Sequence, residues 1–169
     1  MQAQPAARVV VGVADSMAGL EALRVAVDEA RRRGVKLYAV RAWRLPGNWP
    51  GAQMRQWSQE MVAEETARLN EAFAMAMGGV PAEVPVELIV AEGVPGPTLV
   101  SQAIGEDDLI VVGTPTRGRG WSVTGVAQYC RRHAGCPVLV VPPPSMARLG
   151  RPRALARRLR RSLSHEIRI

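Results

Sequence analysis

Hydroxyl and guanidinium side chains crowd a short turn in the second half of the chain. Gly118 and Gly120 lie in this turn, and a predicted helix over residues 123–133 begins directly after it. Small residues let a backbone approach an anion, and the N–H groups at a helix start face the anion with the helix dipole behind them. Arginine adds charge-assisted hydrogen bonds to phosphate. The pattern predicts a modified phosphate site, and a solvated, empty loop is the alternative left open. The polar side chains concerned are Thr114, Thr116, Arg117, Arg119, Ser122 and Thr124.

The sequence contains no recognisable set of catalytic residues. It has no supported Ser/His/Asp arrangement, no H-E-x-x-H pair and no G-x-x-x-x-G-K-[ST] loop. His133 ends a predicted helix, and Cys130 and Cys136 lie in or beside apolar elements, so we expect structural roles for all three. The acidic run 106–108 precedes a strand and predicts a solvated turn rather than a metal site. We therefore expect neither catalytic residues nor metal ligands.

Five short apolar segments alternate with predicted helices. The first helix is expected to begin at a cap, Asp15 or Ser16, and to end at Gly34. Strict alternation of strand and helix, with strands apolar on both faces, predicts an α/β domain with one doubly wound parallel sheet. Ligands bind such sheets at the carboxyl ends of the strands, which points to residues 13–16, 42–46, 91–95 and 113–122. The predicted strands cover 8–13, 36–43, 86–91, 109–113 and 137–142, and the later helices 53–77, 98–104 and 123–133.

The charge divides the chain into two parts. The formal net charge is +7, yet residues 1–144 hold 14 basic and 14 acidic residues, and residues 145–169 hold eight Arg and one Glu. We therefore expect a neutral domain over 1–144 and a basic tail over 145–169. Leu155, Leu159, Leu163 and Ile167 recur every four residues in the tail, as in an amphipathic helix. Three interpretations of the tail remain open. It docks on the domain or on a second subunit, it is flexible, or it contacts an acidic partner, an anionic surface or nucleic acid.

Composition excludes several classes of protein. No apolar run reaches the roughly 18 residues of a membrane span, so no transmembrane segment is expected. The first apolar run is interrupted by Asp15, which argues against a signal peptide. Two cysteines are too few for a disulfide scaffold. We expect a cytoplasmic protein with reduced thiols.

Four stretches in order resemble the universal stress protein family. They are RVVVGVADS, KLYAVRAW, VAEGVPGPTLVSQAIGEDDLIVVGT and AQYCRRHAGCPVLVVP, which together run over roughly residues 8–142. The resemblance implies a five-stranded sheet of order 3-2-1-4-5. It also implies a homodimer paired through the fifth strand, at Val138, Leu139, Val140 and Val141, and in one subgroup an ATP site.

The sequence departs from the motifs of the ATP-binding members. Those members carry an Asp at the end of the first strand, where this chain has Ala14, with Asp15 one position later. Their loop of Gly, two residues, Gly, nine residues and Gly-Ser/Thr is matched at Gly113 but has Thr116 in place of its second glycine. Its final dipeptide is replaced by Thr124-Gly125 in reverse order. The missing Asp affects base and ribose recognition, and the lost glycine affects triphosphate binding.

The combined prediction is a regulatory or interaction protein with weak or altered binding of an adenine nucleotide. The cofactor would be ATP or AMP, with or without Mg²⁺, and any enzymatic activity would be at most slow ATP hydrolysis. The alternative is a scaffold that binds no nucleotide and acts through dimerisation and its basic tail. By the resemblance, the base lies near the end of the second strand. The predicted nucleotide-binding residues are Val13, Ala14, Asp15, Ser16, Ala39, Val40, Arg41, Gly113, Thr114, Arg117, Gly118, Arg119, Gly120, Thr124, Gly125 and Val126.

Overall fold

Strands and helices alternate without exception along the described chain. The structure, a computed structural model, describes residues 7–44, 52–114 and 123–145. The alternation confirms the predicted α/β class. In chain order the elements are β1 (Arg8–Gly12), α1 (Met17–Arg33), β2 (Lys36–Trp43), α2 (Ala52–Met77), β3 (Val86–Glu92), α3 (Pro95–Gln102), β4 (Leu109–Gly113), α4 (Val123–His133) and β5 (Val138–Val141).

The five strands form one parallel sheet in the order β3-β2-β1-β4-β5. This order confirms the topology that the family resemblance implied. One apolar core lies between the sheet and helices α1 and α2, and a second lies against α3 and α4. Strand β1 contributes to both cores, since Val9 and Val11 face the first and Val10 faces the second. Burial of both sheet faces explains why the strands read as continuous apolar runs.

Helix α1 begins and ends at the residues that the sequence indicated. Ser16 is the N-cap, and its Oγ accepts a hydrogen bond from the N–H of Gly19 at 3.0 Å. Gly34 ends the helix in the left-handed conformation, with φ of 65°, which glycine adopts without steric cost. Arg31, Arg32 and Arg33 occupy the last turn, where they complement the negative end of the helix dipole.

Helix α3 begins earlier than predicted. The expected start was residue 98, whereas the helix runs over Pro95–Gln102. Proline is tolerated in a first helical turn because its missing N–H would have no helical partner there. Pro95 and Pro97 thus belong to the helix and not to the turn before it.

The acidic turn before β4 is not fully solvated, which corrects a second prediction. Asp107 is exposed, but Asp108 is only 2 % exposed. Its carboxylate accepts hydrogen bonds from the backbone N–H groups of Arg8, Ile104 and Gly105 at 2.9, 2.8 and 3.0 Å. Asp108 therefore ties the start of β1 to the loop between α3 and β4.

No helix within the described ranges is long and apolar enough to cross a bilayer.

Candidate functional site

A cavity of about 480 Å³ opens at the carboxyl ends of β1 and β4. These central neighbours are where the strand order reverses, because the chain runs outward through β2 and β3 on one side and through β5 on the other. The cavity therefore occupies the place where doubly wound sheets bind ligands. Its lining comprises Gly12, Val13, Ala14, Asp15, Ser16, Gly19, Arg41, Ala42, Val94, Pro95, Gly96, Pro97, Leu99, Val112, Gly113, Gly125, Val126 and Tyr129.

Half of the predicted site residues line this cavity. Those brought together are Val13, Ala14, Asp15, Ser16, Arg41, Gly113, Gly125 and Val126.

The other predicted residues fall into three groups. Ala39 and Val40 lie inside the sheet, on opposite faces of β2, and are not part of the lining. Thr114 follows β4 and donates its N–H to the carbonyl of Val141 at 2.7 Å. Thr124 lies in the first turn of α4, and its side chain is outside the described part of the structure, as are Arg117, Gly118, Arg119 and Gly120.

Two helices begin at the cavity. Ser16, the N-cap of α1, and Gly125, in the first turn of α4, both line it. Neither helix has an acidic residue in its first turn, but the carboxylate of Asp15, paired with Arg41, directly precedes the N-cap of α1. The start of α4 is therefore the part of the cavity that is better suited to an anion.

Sequence reasoning predicted Val126 but missed the rest of the wall formed by α3 and α4. Tyr129 of α4 packs directly on Gly96 of α3, where an added Cβ would lie 2.9 Å from the tyrosine ring. Leu99 and Val126 complete an apolar wall beside them. The predicted region 91–95 pointed to this side of the cavity. The contact of Tyr129 with Gly96 had no sequence signal, since it depends on how two helices pack.

The guanidinium group of Arg41 is paired with two carboxylates. It forms a bidentate pair with Asp15, at 2.8 Å from Nη1 to Oδ1 and 2.7 Å from Nη2 to Oδ2. Its Nε donates to the carboxylate of Glu65 on α2, and Arg41 and Glu65 are both buried. The hydrogen bond from Arg41 lowers the pKa of Asp15, although burial acts in the opposite direction. Asp15 is therefore ionised at neutral pH.

The other residues considered as metal ligands or catalytic groups lie in surroundings typical of structural roles. Within 7–44, 52–114 and 123–145, no three His, Cys, Asp or Glu side chains are grouped to hold a metal ion. His133 ends α4 and lies against the Tyr129 ring, with the ring centroids 4.2 Å apart. Both cysteines are free, and Cys130 is fully buried in the second core.

The two thiols are expected to react in a fixed order. Burial, with a smaller electrostatic effect of Cys136, raises the pKa of Cys130 to about 11. At pH 8 only about one molecule in a thousand would carry the reactive thiolate. Burial also raises the pKa of Cys136, but this residue is only partly buried. Iodoacetamide should therefore alkylate Cys136 first and Cys130 only after unfolding, as measured by peptide mass spectrometry. A Cys136→Ser variant that is labelled rapidly in the folded state would contradict this order.

Comparison with known proteins places this architecture in a family. Residues 6–142 match the universal stress protein family. Universal stress protein Rv2623 of Mycobacterium tuberculosis is 33% identical over 143 residues, which cover 79% of this chain and 44% of the relative. The chain thus spans less than half the length of that curated relative.

Solved structures share the fold. Universal stress protein UspA from Lactobacillus plantarum is 23% identical with a TM-score of 0.57, and the match covers 80% of this chain and 97% of that one. A universal stress protein solved in complex with cAMP is 24% identical with a TM-score of 0.52, covering 82% and 98% of the two chains. With the matched family residues, the sheet order and the cavity position in agreement, the chain belongs to the universal stress protein family.

Proposed function

We propose that this protein binds an adenine nucleotide, weakly or in an altered manner, and acts by regulation or interaction. The observation that carries the proposal is the cavity at the switch point of the sheet, onto which the N-termini of α1 and α4 open. Its volume lies within the range of roughly 300–1,000 Å³ typical of small-molecule sites. The universal stress protein solved with cAMP shares this fold, so the fold is compatible with an adenine nucleotide as ligand.

The two ends of the cavity suit the two ends of a nucleotide. Leu99, Val112 and Tyr129 offer apolar and aromatic surface to a base. The helix start near Gly125 favours phosphate. We propose that Thr114, Thr124 and the loop residues Arg117, Gly118, Arg119 and Gly120 complete the phosphate site, with Mg²⁺ where a polyphosphate is bound.

The described lining supports weak rather than tight binding. Arg41 carries the only positive charge among the described lining residues, and it is already paired with Asp15 and Glu65. Ala14 provides no polar side chain at the end of β1. Phosphate affinity would then depend on backbone N–H groups and on the two loop arginines, and we expect dissociation constants nearer millimolar than nanomolar.

Calorimetric titration with ATP, AMP and cAMP, each with and without Mg²⁺, tests the proposal. A Gly125→Trp variant should abolish binding, because Gly125 lines the cavity and no described atom lies within 4 Å of an added Cβ. Gly135→Trp is the matched control, since Gly135 is equally open and does not line the cavity. Absence of binding at millimolar nucleotide would favour the scaffold alternative, and equal binding by the two variants would show that the nucleotide does not occupy this cavity.

We also propose that two copies associate through β5 and that the basic tail adds a second contact. Within the described part of the chain, strand β5 pairs only with β4, and Leu139 is 39% exposed. An apolar edge strand is commonly covered by another strand. For residues 145–169 we propose an acidic partner or an anionic surface. The molar mass in solution tests the first contact, and the binding of anionic vesicles by the full chain and by a chain truncated after residue 144 tests the second.

A cytoplasmic location is part of the same proposal. The thiols of Cys130 and Cys136 are free in the structure, which is compatible with a reducing compartment.

A further inference from the structure

One face of strand β3 is left largely uncovered within the described ranges. Its other face packs against α2, whereas α3 packs on β1 and β2, and α4 packs on β4 and β5. The strands of a parallel sheet are ordinarily covered by helices on both faces. The sheet therefore lacks about one helix at its β3 edge, on the side of α3 and α4.

The uncovered surface, termed the open face, consists of Glu87, Ile89 and Ala91 of β3. The register pairs Ile89 with Val40, which is buried in the second core, so these alternate side chains lie on the α3 side of the sheet. All three are only partly buried, and Ile104, directly after α3, is 60% exposed. Apolar surface is thus accessible on and beside the open face.

Acidic side chains lie on and around the open face. Glu87 lies on it and is paired with Lys36 at 2.6 Å. Glu92 is at the carboxyl end of β3, and Glu106 and Asp107 follow α3 at the opposite edge of the sheet. These last three are exposed, and none of them forms an ion pair within 7–44, 52–114 and 123–145. The surroundings of the open face therefore favour a cationic partner.

One segment outside the described ranges is long enough to supply the missing helix. A strand of seven residues is about 23 Å long, and a helix of about 15 residues is needed to cover it. Residues 153–169 number 17, with an apolar side chain at every fourth position from Leu155 to Ile167. They also hold six arginines and one acidic residue, so their charge is opposite to that around the open face. The segments outside the described ranges are 1–6, 45–51, 115–122 and 146–169.

This segment can reach the open face from the end of the described chain. Strands β5 and β3 form opposite edges of the sheet, four strand spacings or about 19 Å apart. Residues 146–152 span up to about 25 Å when extended. Because Ser145 follows β5 at the carboxyl edge, a helix that starts from this edge runs antiparallel to β3, as the crossover helices of parallel sheets do.

We propose that residues 153–169 dock on the open face of their own domain as an amphipathic helix. The apolar stripe would lie against Ile89, and the arginines would face Glu92, Glu106 and Asp107. A helix of this length is marginal alone in water, and apolar contact with the sheet stabilises it. The inference rests on the proposed acidic partner of the tail and names that partner as this domain. An anionic surface would then compete with the open face for the tail.

Hydrogen exchange of the full chain, followed by mass spectrometry, tests the docking. We expect the amides of residues 153–169 to exchange about tenfold or more slowly than those of a free peptide of the same sequence. Glu92→Lys reverses a charge at the end of the open face and should reduce this protection about threefold. Glu71→Lys, which reverses an exposed charge on α2, should leave the protection unchanged.

A second pair of variants tests the apolar contact. Ile89→Asp places a charge within the open face and should abolish the protection of the tail amides. Met75→Asp, at a 57% exposed position on α2 and on the other side of the sheet, should not alter it. The slowest amides of β1 and β4 report in the same measurement whether each variant is folded. Glu92→Lys keeps the test decisive should Ile89→Asp fail to fold.

Three results would overturn the inference. Tail amides of the wild-type protein that exchange as fast as those of the free peptide would show that the tail does not dock. Protection that rises with protein concentration would place the tail on a second copy. Protection that neither Glu92→Lys nor Ile89→Asp reduces would place it on another surface. The binding of anionic vesicles tests the proposed tail contact separately, so intact vesicle binding with unprotected tail amides would overturn the inference alone.

Discussion

Replacing Asp108 with alanine is expected to lower the free energy of unfolding by about 4 kcal/mol. The substitution removes the acceptor of three backbone N–H groups, those of Arg8, Ile104 and Gly105. Each buried donor left without a partner costs roughly 1–3 kcal/mol. The Nε of Arg8, 3.7 Å from Asp108 and without a hydrogen bond within the described structure, would also lose its nearest carboxylate. A loss of this size is a large part of the roughly 5–15 kcal/mol that stabilises a typical domain.

Urea denaturation of a matched pair of variants measures this effect. Asp107→Ala removes the neighbouring carboxylate, which is exposed, and should change the stability by less than about 0.5 kcal/mol. Asp108→Asn should fall between the two, because its amide keeps one acceptor oxygen and turns a donor toward N–H groups. If the two alanine variants were equally stable, Asp108 would contribute nothing through its hydrogen bonds.

Asp108 also shows why part of the fold could not be predicted from the sequence. Its acidic neighbours Glu106 and Asp107 are exposed, and local composition alone indicates a solvated turn. The burial of Asp108 arises from Arg8, 100 residues away, whose N–H and guanidinium group lie against it when β1 pairs with β4. A local pattern contains no information about such a contact.

The sheet itself was predictable because its causes are local. Apolar runs such as Val9–Val11 can only be buried on both faces, and alternation with helices then requires parallel strands. Caps at Ser16 and Gly34 follow from side-chain chemistry within a few residues. The start of α3 was less predictable, because a proline such as Pro95 fits a turn and a first helical turn equally well.

The candidate site, like the fold, has one feature that the sequence predicts and one that it does not. Its place follows from topology, since the ends of β1 and β4 meet wherever the strand order reverses. Its electrostatics do not, because the pairing of Arg41 with Asp15 and Glu65 joins three different elements. The family resemblance implied that a base would lie near Arg41. The structure places its guanidinium against two carboxylates, which leaves Asp15 to face the cavity.

Gly113→Ala is expected to destabilise the domain by about 3 kcal/mol even without a ligand. The Cβ of an alanine would lie 2.6 Å from the carbonyl oxygen of Ala18 and 2.9 Å from the backbone nitrogen of Gly19. Both atoms belong to the backbone of α1, so relief requires the helix to move. Overpacking of this kind costs typically 1–3 kcal/mol, and more where no side chain can yield. Because α1 begins at the cavity, its displacement should also weaken the proposed nucleotide binding.

Gly125→Ala is the matched control, because Gly125 lines the same cavity but lacks the close backbone contact that Gly113 makes. No described atom lies within 4 Å of its added Cβ, and alanine in a helix is favoured over glycine by roughly 0.5–1 kcal/mol. We therefore expect Gly125→Ala to be neutral or stabilising, as measured by thermal and urea denaturation. Gly12→Ala should fall between them, since its Cβ meets the Cδ1 of Leu99, a side-chain atom that can shift. Equal stability of all three variants would show that α1 adjusts freely, and Gly113 would then be needed only for close approach of a ligand. The expected order of stabilities would instead show that Gly113 is needed for α1 to pack closely against β4. The shape of the cavity depends on that packing.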